Sequence, residues 1–263
     1  MIDYKVKDKV ALITGGSHGI GLEIAKQLAS QGASIAICSR TEERLKNAEK
    51  LLKKINANYL IVQANALNPL ECKNVVKVVL KKWKKIDILI NNVGGGGSWG
   101  NEDILKTDFS VWRDVIEKNL FSASLFTNDV LSNMIKNKWG RIITITSIIG
   151  KESLTGSRPW FNIAKAGQAA LMKSLSKNKK YVRKGITFNS VAPGGIMIPD
   201  TGFDNMKKNH PKEYKSMVDR DYPLGRQGTP EEVANLVLFL CSELSDLING
   251  SQFVIDGGQS NSY

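Results

Sequence analysis

The most constraining feature of this chain is a repeated alternation between two kinds of segment. Short runs rich in β-branched and apolar residues are followed by longer amphipathic runs with helical spacing. The runs that we predict as strands cover residues 10–14, 34–39, 59–63, 86–91, 140–147, 187–192 and 252–255. The runs that we predict as helices cover residues 19–30, 42–55, 69–83, 109–137, 159–182 and 230–241. Such alternation is typical of right-handed βαβ units, so we predict an α/β fold, a doubly wound parallel sheet of about seven strands with helices on both faces.

Length and composition agree with one folded unit. With 263 residues, of which 42% are hydrophobic, the chain can bury the core of one α/β domain, and we predict a single domain over residues 1–263. Apolar stretches stay well below the roughly 20 residues that span a bilayer, and the first residues lack the apolar stretch of a signal peptide. We therefore expect a cytoplasmic protein without a membrane partner.

Cysteine usage and charge indicate which partners to expect. Cys38, Cys72 and Cys241 lie far apart and form no Cys-x-x-Cys pair, so we expect neither a disulfide framework nor a metal site. The formal net charge of +12 favours anionic ligands. The lysines are spread over many helical segments rather than gathered in one stripe with aromatic residues, so we expect no nucleic-acid partner.

One long stretch interrupts the alternation. Residues 194–226 contain prolines and scattered charge with only a short helical pattern between them. A connection of this length that directly follows a strand often forms a lid over a binding site, although inserted surface structure gives the same pattern. We predict a substrate lid here.

A glycine-rich turn follows the first predicted strand. The sequence Thr14-Gly15-Gly16-Ser17-His18-Gly19-Ile20-Gly21 leads directly into the first predicted helix, with Gly-x-x-x-Gly-x-Gly spacing. Glycine allows positive φ angles and lets a pyrophosphate approach the helix N-terminus, where free N–H groups attract an anion. The position of the turn between a strand and a helix predicts a phosphate-binding site.

This turn and four later features resemble the short-chain dehydrogenase/reductase family, in particular its 3-oxoacyl-[acyl-carrier-protein] reductases. The other features are Asn91-Asn92-Val93-Gly94, Asn119, Ser147 with Lys165, and Pro193-Gly194. The resemblance covers nearly the whole chain and implies a Rossmann-like fold that binds a nicotinamide dinucleotide. The cofactor-binding residues that it implies are Gly15, Ser17, His18, Gly19, Ile20, Gly21, Ser39, Arg40, Asn65, Ala66, Asn92, Val93, Gly94, Lys165, Pro193, Gly194 and Ile196.

The end of the second predicted strand bears on which cofactor is used. An acidic residue there would accept hydrogen bonds from the ribose hydroxyls of NAD, but the sequence has Ser39 and Arg40. A guanidinium and a hydroxyl can instead bind a 2′-phosphate, so we predict NADP(H) in preference to NAD(H). The alternative is that Arg40 stacks on adenine or reaches solvent. Asn65 stands where the family usually has an aspartate, which removes a charge near the adenine.

The catalytic group is incomplete by comparison with the family. There, a Tyr transfers the substrate proton, a Lys lowers its pKa and binds the ribose, a Ser holds the carbonyl oxygen and an Asn positions a water. Lys165, Ser147 and Asn119 match three of these residues, but Phe161 stands four residues before the lysine, in the place of the tyrosine. A positioned acid contributes about 10²–10⁴ in rate, so this difference bears directly on activity.

Three explanations of Phe161 stay open. The enzyme acts slowly or on a substrate that supplies its own acid, it recruits a different donor, or the sequence is a variant that traps bound ligand. Tyr214, Tyr222 and His210 are candidate donors in the predicted lid. Arg158 is available for an anionic substrate and Trp160 for stacking, although both residues suit a subunit interface equally well.

The sequence therefore predicts an NADP(H)-dependent oxidoreductase that interconverts a carbonyl and a secondary alcohol, with a small-molecule substrate whose anionic character the net charge would favour. The alternative is a catalytically silent dinucleotide-binding sensor or partner subunit. A ketoacyl thioester, a sugar nucleotide, a steroid-like ketone and a small sugar all remain possible substrates. By resemblance, the predicted helices at 109–137 and 159–182 would form a homo-oligomer, a dimer or a tetramer.

Overall fold

The computed structural model describes residues 2–154 and 156–262, in which seven strands form one parallel β-sheet. The strands are β1 (Val10–Thr14), β2 (Ser34–Ser39), β3 (Tyr59–Gln63), β4 (Ile88–Asn91), β5 (Gly140–Ile145), β6 (Ile186–Pro193) and β7 (Gln252–Ile255). They lie in the order β3-β2-β1-β4-β5-β6-β7. The predicted doubly wound α/β fold is confirmed.

Helices cover both faces of the sheet. Over the described residues they are α1 (Gly19–Ser30), α2 (Glu42–Lys54), α3 (Pro69–Trp83), α4 (Phe109–Ile116), α5 (Ser122–Asn137), α6 (Pro159–Leu175), α7 (Lys179–Val182), α8 (Gly202–Asn209), α9 (Pro211–Asp221) and α10 (Pro230–Cys241). Local sequence explains where several of them begin. The Asn68 side chain accepts hydrogen bonds at the start of α3, and Thr229 and Glu232 form a reciprocal capping box at the start of α10.

The core is divided by the sheet. Ile13 of β1 packs in one apolar cluster with Ile24 of α1 and Val237 of α10. The neighbouring residue Leu12 points to the opposite face, where it joins a second cluster that includes Phe126 of α5. Burial on both faces explains why the strands are almost continuously apolar.

The helix predicted at 109–137 is two helices joined by a π-helical turn. This turn, Glu117–Phe121, lies between α4 and α5. The Asn119 side chain explains the irregularity, because its Nδ2 donates to Val115 O at 2.8 Å and so occupies a carbonyl of the helical ladder. Ser122 Oγ also donates to Lys118 O at 2.7 Å. Periodicity alone does not reveal such an interruption.

Other boundaries also differ from the predictions. The helix predicted at 159–182 ends at Leu175, and the Asn178 side chain caps the separate helix α7. β5 ends at Ile145, although the Thr146 N–H still donates to Val191 O of β6 at 2.7 Å, and Ser147 then caps a short 3₁₀ turn. The stretch at 194–226 contains two helices, α8 and α9, separated by His210, and Pro211 begins the second helix. None of the helices in residues 2–154 and 156–262 has the length and apolar content that a bilayer crossing requires.

Candidate active site

A large cleft opens where the parallel strands end. Its volume is about 1640 Å³, and its lining comes from the segments that follow all seven strands, including the 194–226 stretch after β6. The cleft lies beside the point where the strand order reverses, between β1 and β4. Open α/β sheets bind their ligands at such a switch point.

The turn between β1 and α1 is packed too closely to accept side chains. A Cβ atom on Gly21 would lie 2.4 Å from Asn92 Nδ2, and a Cβ atom on Gly16 would lie 2.7 Å from Ile37 Cγ2. Gly15 and Gly19 have φ angles of +63° and +54°, which strain any residue with a Cβ. The glycines are therefore needed for the shape of the turn, as the sequence predicts.

This turn is fastened to the end of β4. Asn92 Nδ2 donates to Thr14 O at 3.0 Å and to Gly15 O at 3.1 Å, while Thr14 Oγ1 accepts from the backbone N–H groups of Asn92 and Val93. No side chain caps the start of α1 in the described residues. The first N–H groups of α1 thus remain available to an anion, such as a pyrophosphate, at the edge of the cleft.

Basic side chains gather at the end of the cleft beyond β2. Ser39, Arg40 and Arg44 line it, and Lys118 of the π-helical turn lines it as well. Burial, and to a smaller extent repulsion from Arg40, lower the pKa of Lys118. The Lys118 Nζ itself lies 4.4 Å from the centre of the Trp99 ring, in the loop after β4. Arg44 and Lys118 were missed by sequence reasoning, because spacing alone does not bring them beside Arg40.

Lys165 lies under the floor of the cleft. It is 5% exposed, and its Nζ donates to Ile145 O at 3.0 Å and to Gln168 Oε1 at 3.1 Å. A Cβ atom on Gly94 would lie 3.1 Å from this Nζ, so the glycine is what leaves room for the ammonium. Burial lowers the pKa of Lys165 from its ordinary 10.5 to about 7, and the nearby Lys118 adds to the effect.

Asn119 does not line the cleft, and protein groups use its hydrogen-bonding capacity. Its Oδ1 accepts from Gly95 N at 3.2 Å, and its Nδ2 donates to Gly95 O and Val115 O. Its backbone carbonyl accepts from Gln168 Nε2 at 2.9 Å and from Ser122 Oγ at 3.3 Å. The side chain therefore holds the loop after β4 in place. The water-positioning role implied by the family resemblance stays a prediction.

Phe161 lies one helical turn before Lys165 and lines the cleft. The Lys165 Nζ lies 5.6 Å from the centre of the phenyl ring. The ring is packed so closely against the loop after β4 that a Cβ atom on Gly97 would lie 3.2 Å from its edge. The two side chains therefore share one site, as their spacing of four residues predicts.

Ser147 lines the same cleft immediately after β5. Its Oγ accepts a hydrogen bond from Ile149 N at 3.3 Å, which orients the side chain. Among the described residues, its hydroxyl proton is donated to no protein acceptor. A ligand oxygen could therefore receive it.

The alternative proton donors differ in position. Tyr222 is 5% exposed, lines the cleft, and accepts a hydrogen bond from Gln227 Nε2 at 3.3 Å. Burial raises the pKa of Tyr222, which disfavours the phenolate. Tyr214 and His210 do not line the cleft, so their proposed role as donors is not supported by their placement.

Neither Arg158 nor Trp160 lines the cleft, so the ligand contact that the sequence left open beside a subunit interface is not supported for either residue. Arg158 Nη1 donates to Gly156 O and forms an ion pair with Glu102 at 3.2 Å. Trp160 is fully buried, and its Nε1 donates to Trp99 O at 3.0 Å. The two side chains instead stabilise the loops around the start of α6. Their burial within the fold also excludes a direct role of Trp160 at a subunit interface.

Most of the predicted site residues meet at one cleft. Those that line it are Gly15, Ser17, His18, Gly19, Ile20, Ser39, Arg40, Asn65, Ala66, Asn92, Val93, Gly94, Ser147, Lys165, Pro193, Gly194 and Ile196. Gly21 and Asn119 lie behind it and shape it through packing and hydrogen bonds. A glycine cradle, an uncapped helix N-terminus and a basic end together fit a nicotinamide dinucleotide.

Comparisons with known proteins agree with this geometry. The family described as Enoyl-(Acyl carrier protein) reductase matches residues 15–260. The 3-oxoacyl-[acyl-carrier-protein] reductase FabG of Aquifex aeolicus (strain VF5) is 35% identical over 258 residues, 98% of this chain and 99% of the relative. The chain belongs to the short-chain dehydrogenase/reductase family. The FabG protein of Escherichia coli (strain K12) is 32% identical over 250 residues, covering 95% of this chain and 96% of the relative.

Solved structures of reductases from this family have the same fold. L-sorbose reductase from Gluconobacter frateurii, complexed with NADPH and L-sorbose, matches with a TM-score of 0.91 and 31% identity over 100% of both chains. A variant of actinorhodin polyketide ketoreductase with NADPH matches with a TM-score of 0.89 and 28% identity, covering 97% of this chain and 98% of the other. Carbonyl reduction with a nicotinamide cofactor is thus the activity typical of these relatives.

Proposed function

We propose that this protein is an NADP(H)-dependent reductase that interconverts a carbonyl and a secondary alcohol. The observation that carries the proposal is that the Lys165 ammonium and the Ser147 hydroxyl lie in the same cleft as the glycine turn. A binding module would need the turn and could use the lysine to hold the ribose, but it would have no use for the Ser147 hydroxyl beside them. Burying such a lysine costs stability, which argues for a chemical role.

The basic end of the cleft supports NADP(H) over NAD(H). The segment after β2 presents Ser39, Arg40 and Arg44 to the cleft, and the cation Lys118 also lines it. Guanidinium groups bind a 2′-phosphate through charge-assisted hydrogen bonds. We expect Arg40→Ala to weaken NADPH binding about tenfold or more and to leave NADH binding nearly unchanged, as measured by fluorescence titration.

The residues of the chain can perform carbonyl reduction without a phenol at position 161. Bound NADPH would supply the hydride. Ser147 Oγ would donate a hydrogen bond to the carbonyl oxygen. This oxygen becomes negatively charged when the carbon is reduced, because it takes up the π electron pair of the C=O bond. That oxygen would then take a proton from Lys165 Nζ. The N–H bond breaks, its electron pair stays on nitrogen, and the amine later regains a proton from solvent.

The acidity of Lys165 suits this role. An ordinary lysine with a pKa of 10.5 gives up its proton too reluctantly near neutral pH, whereas burial lowers the pKa of Lys165 to about 7. A general acid is most effective when its pKa lies near the operating pH. Lys165 therefore suits the role of the missing donor better than Tyr222, because burial raises the pKa of Tyr222.

The wall of the cleft formed by the 194–226 stretch favours an acyl substrate. Phe203 and Met206 of α8 and Met217 of α9 line it, opposite Leu154. Apolar side chains of this kind suit an alkyl chain, and we propose that α8 and α9 form the lid over it. Together with the identity of the curated relatives, this supports a 3-oxoacyl thioester as the substrate class. The net charge of +12 suits an acidic carrier.

Single-turnover oxidation of NADPH, followed by absorbance, tests the function. The substrates are a 3-oxoacyl thioester, the corresponding 2-enoyl thioester and a small sugar ketone. The native chain is compared with Lys165→Ala, with Phe161→Tyr and with the exposed control Lys177→Ala. We expect turnover of the 3-oxoacyl thioester that is lost in Lys165→Ala and retained in Lys177→Ala. Turnover of the enoyl thioester alone would contradict carbonyl reduction.

The rival function is a silent dinucleotide-binding protein, and Phe161 is the observation that favours it. In that case the native chain binds NADPH but does not oxidise it with any substrate, and only Phe161→Tyr becomes active. A positioned phenol contributes about 10²–10⁴ in rate, so the two functions differ by more than the scatter of the assay.

A further inference from the structure

Gln168 has no role in the function described so far, yet it is the side chain most closely tied to Lys165. It lies three residues after the lysine on α6 and is fully buried. Its Oε1 accepts from Lys165 Nζ at 3.1 Å, and its Nε2 donates to the backbone carbonyl of Asn119 at 2.9 Å. The amide therefore bridges the buried ammonium and the π-helical turn.

The Asn119 carbonyl fixes which way the amide points. Because this carbonyl can only accept hydrogen bonds, the Nε2 end of Gln168 must face it, which directs the Oε1 end toward Lys165. A free-standing glutamine could instead turn its NH₂ group toward the ammonium. The π-helical turn removes that possibility, so the lysine always meets an acceptor.

In the described part of the chain, the surroundings of Lys165 offer its ammonium one acceptor besides Gln168 Oε1. On β5 the ammonium has only the backbone carbonyl of Ile145, and the loop after β4 presents Gly94. The π-helical turn contributes the cation Lys118, which acts against the positive charge. Among the described residues, no carboxylate lies within ion-pair distance of Lys165 Nζ. Gln168 Oε1 is thus one of two groups that stabilise the charged lysine.

We propose that Gln168 is the positioning residue that keeps the Lys165 ammonium protonated and fixed beside the cleft. This inference rests on the proposed function for its catalytic meaning, since it assigns Lys165 as the acid. In a site with a phenol, the lysine could be oriented by that oxygen. Here the Lys165 Nζ lies 5.6 Å from the centre of the Phe161 ring, which offers no hydrogen-bond acceptor. The Gln168 amide therefore orients the ammonium instead.

Two variants of similar size test the proposal. Gln168→Glu places a carboxylate beside the ammonium, and Gln168→Leu removes the acceptor. Both variants lose the hydrogen bond to the Asn119 carbonyl, so that loss is common to them and does not affect their comparison. We expect the pKa of Lys165 to rise by about one pH unit or more in the first variant and to fall in the second. Gln168→Met replaces the leucine variant if that variant does not fold.

The first readout does not require activity. Urea unfolding of each protein is measured between pH 6 and pH 10, with a Lys165→Met version of each variant as the reference. The difference between the two curves reports the ionisation of Lys165 and, for Gln168→Glu, also that of the introduced carboxyl group that is coupled to it. The second readout is the pH profile of single-turnover NADPH oxidation, in which Gln168→Leu is expected to lose about tenfold or more at pH 8.

Opposite displacements of the two unfolding curves support the proposal. If both variants move the Lys165 ionisation in the same direction, or neither moves it, Gln168 is a packing residue and the proposal is overturned. Failure of the proposed function gives a different result, because the unfolding curves then separate although no protein oxidises NADPH. Turnover without separation of the curves would retain the function and overturn the role of Gln168.

Discussion

Protonation of Lys165 should make the stability of the folded protein depend on pH. The pKa of this lysine is 10.5 in the unfolded chain, and burial lowers it to about 7 in the fold. Each unit of difference corresponds to about 1.4 kcal/mol, so the charged lysine costs the fold about 5 kcal/mol where it is protonated in both states. Buried lysines with strongly lowered pKa values lose stability in this way.

The direction of this pH dependence follows from how many protons the folded and the unfolded states bind. Below pH 7 both states hold the proton, and the full cost is present. Between about pH 7 and 10.5 the unfolded chain still binds the proton while the folded protein releases it, so stability rises with pH by up to about 1.4 kcal/mol per unit. Above this range the cost is gone.

The substitution Lys165→Met isolates the effect. Methionine has a similar length and no charge, but it leaves the Ile145 carbonyl and Gln168 Oε1 without a donor, which costs about 1–3 kcal/mol for each group. This second cost does not depend on pH. We therefore expect the stability of the native chain relative to Lys165→Met to rise between pH 7 and pH 10, measured by urea unfolding at fixed ionic strength. A difference that stays constant over this range would refute the assignment of Lys165 as a buried group with a pKa near 7.

Three further predictions concern the scaffold around the cleft. Gly21→Ala should weaken NADPH binding about tenfold or more, because the new Cβ atom would displace Asn92. Gly202→Ala is the control, since a Cβ atom there would meet nothing within 4 Å, and it should bind NADPH normally. Equal titration curves for the two variants would contradict this prediction. Arg141→Met should lower the free energy of unfolding by about 3 kcal/mol, because the buried guanidinium donates hydrogen bonds to the carbonyls of Gly140, Gly185 and Ser242. The exposed control Arg183→Met should change this free energy little, as measured by urea unfolding. Asn119→Leu should cost about 2–4 kcal/mol and loosen the loop after β4, detectable as faster amide hydrogen exchange at Gly95; unchanged exchange would show that other contacts hold the loop.

The sequence predicts the sheet better than the helices around it. Apolar runs such as that of β1 are buried on both faces, so their composition and their position in the fold are directly linked. The division of the helix predicted at 109–137 depends instead on one side-chain hydrogen bond, from Asn119 to the Val115 carbonyl. An asparagine within an amphipathic pattern does not indicate whether it will face solvent or capture a carbonyl.

The glycine turn and Lys165 could be placed in advance because their spacing relative to a strand or a helix is characteristic. Arg158 and Trp160 could not, since the same residues suit a ligand, an interface or a packed loop, and only the fold shows that Glu102 and the Trp99 carbonyl bind them. Gln168 was missed for a similar reason. A glutamine three residues after a lysine is ordinary on a helix surface, and its meaning appears only when both side chains prove to be buried.

Phe161 changes what is required of the lysine. A lysine that assists a tyrosine needs only its charge, and a high pKa would serve that purpose well. A lysine that must itself release a proton needs a pKa near neutrality, together with partners that hold the ammonium without the strong stabilisation that a carboxylate would give. The site around Lys165 meets both requirements, because burial lowers the pKa while a carbonyl and an amide oxygen restrain the charge. The absence of the phenol and the environment of the lysine are therefore best explained together, as parts of one mechanism.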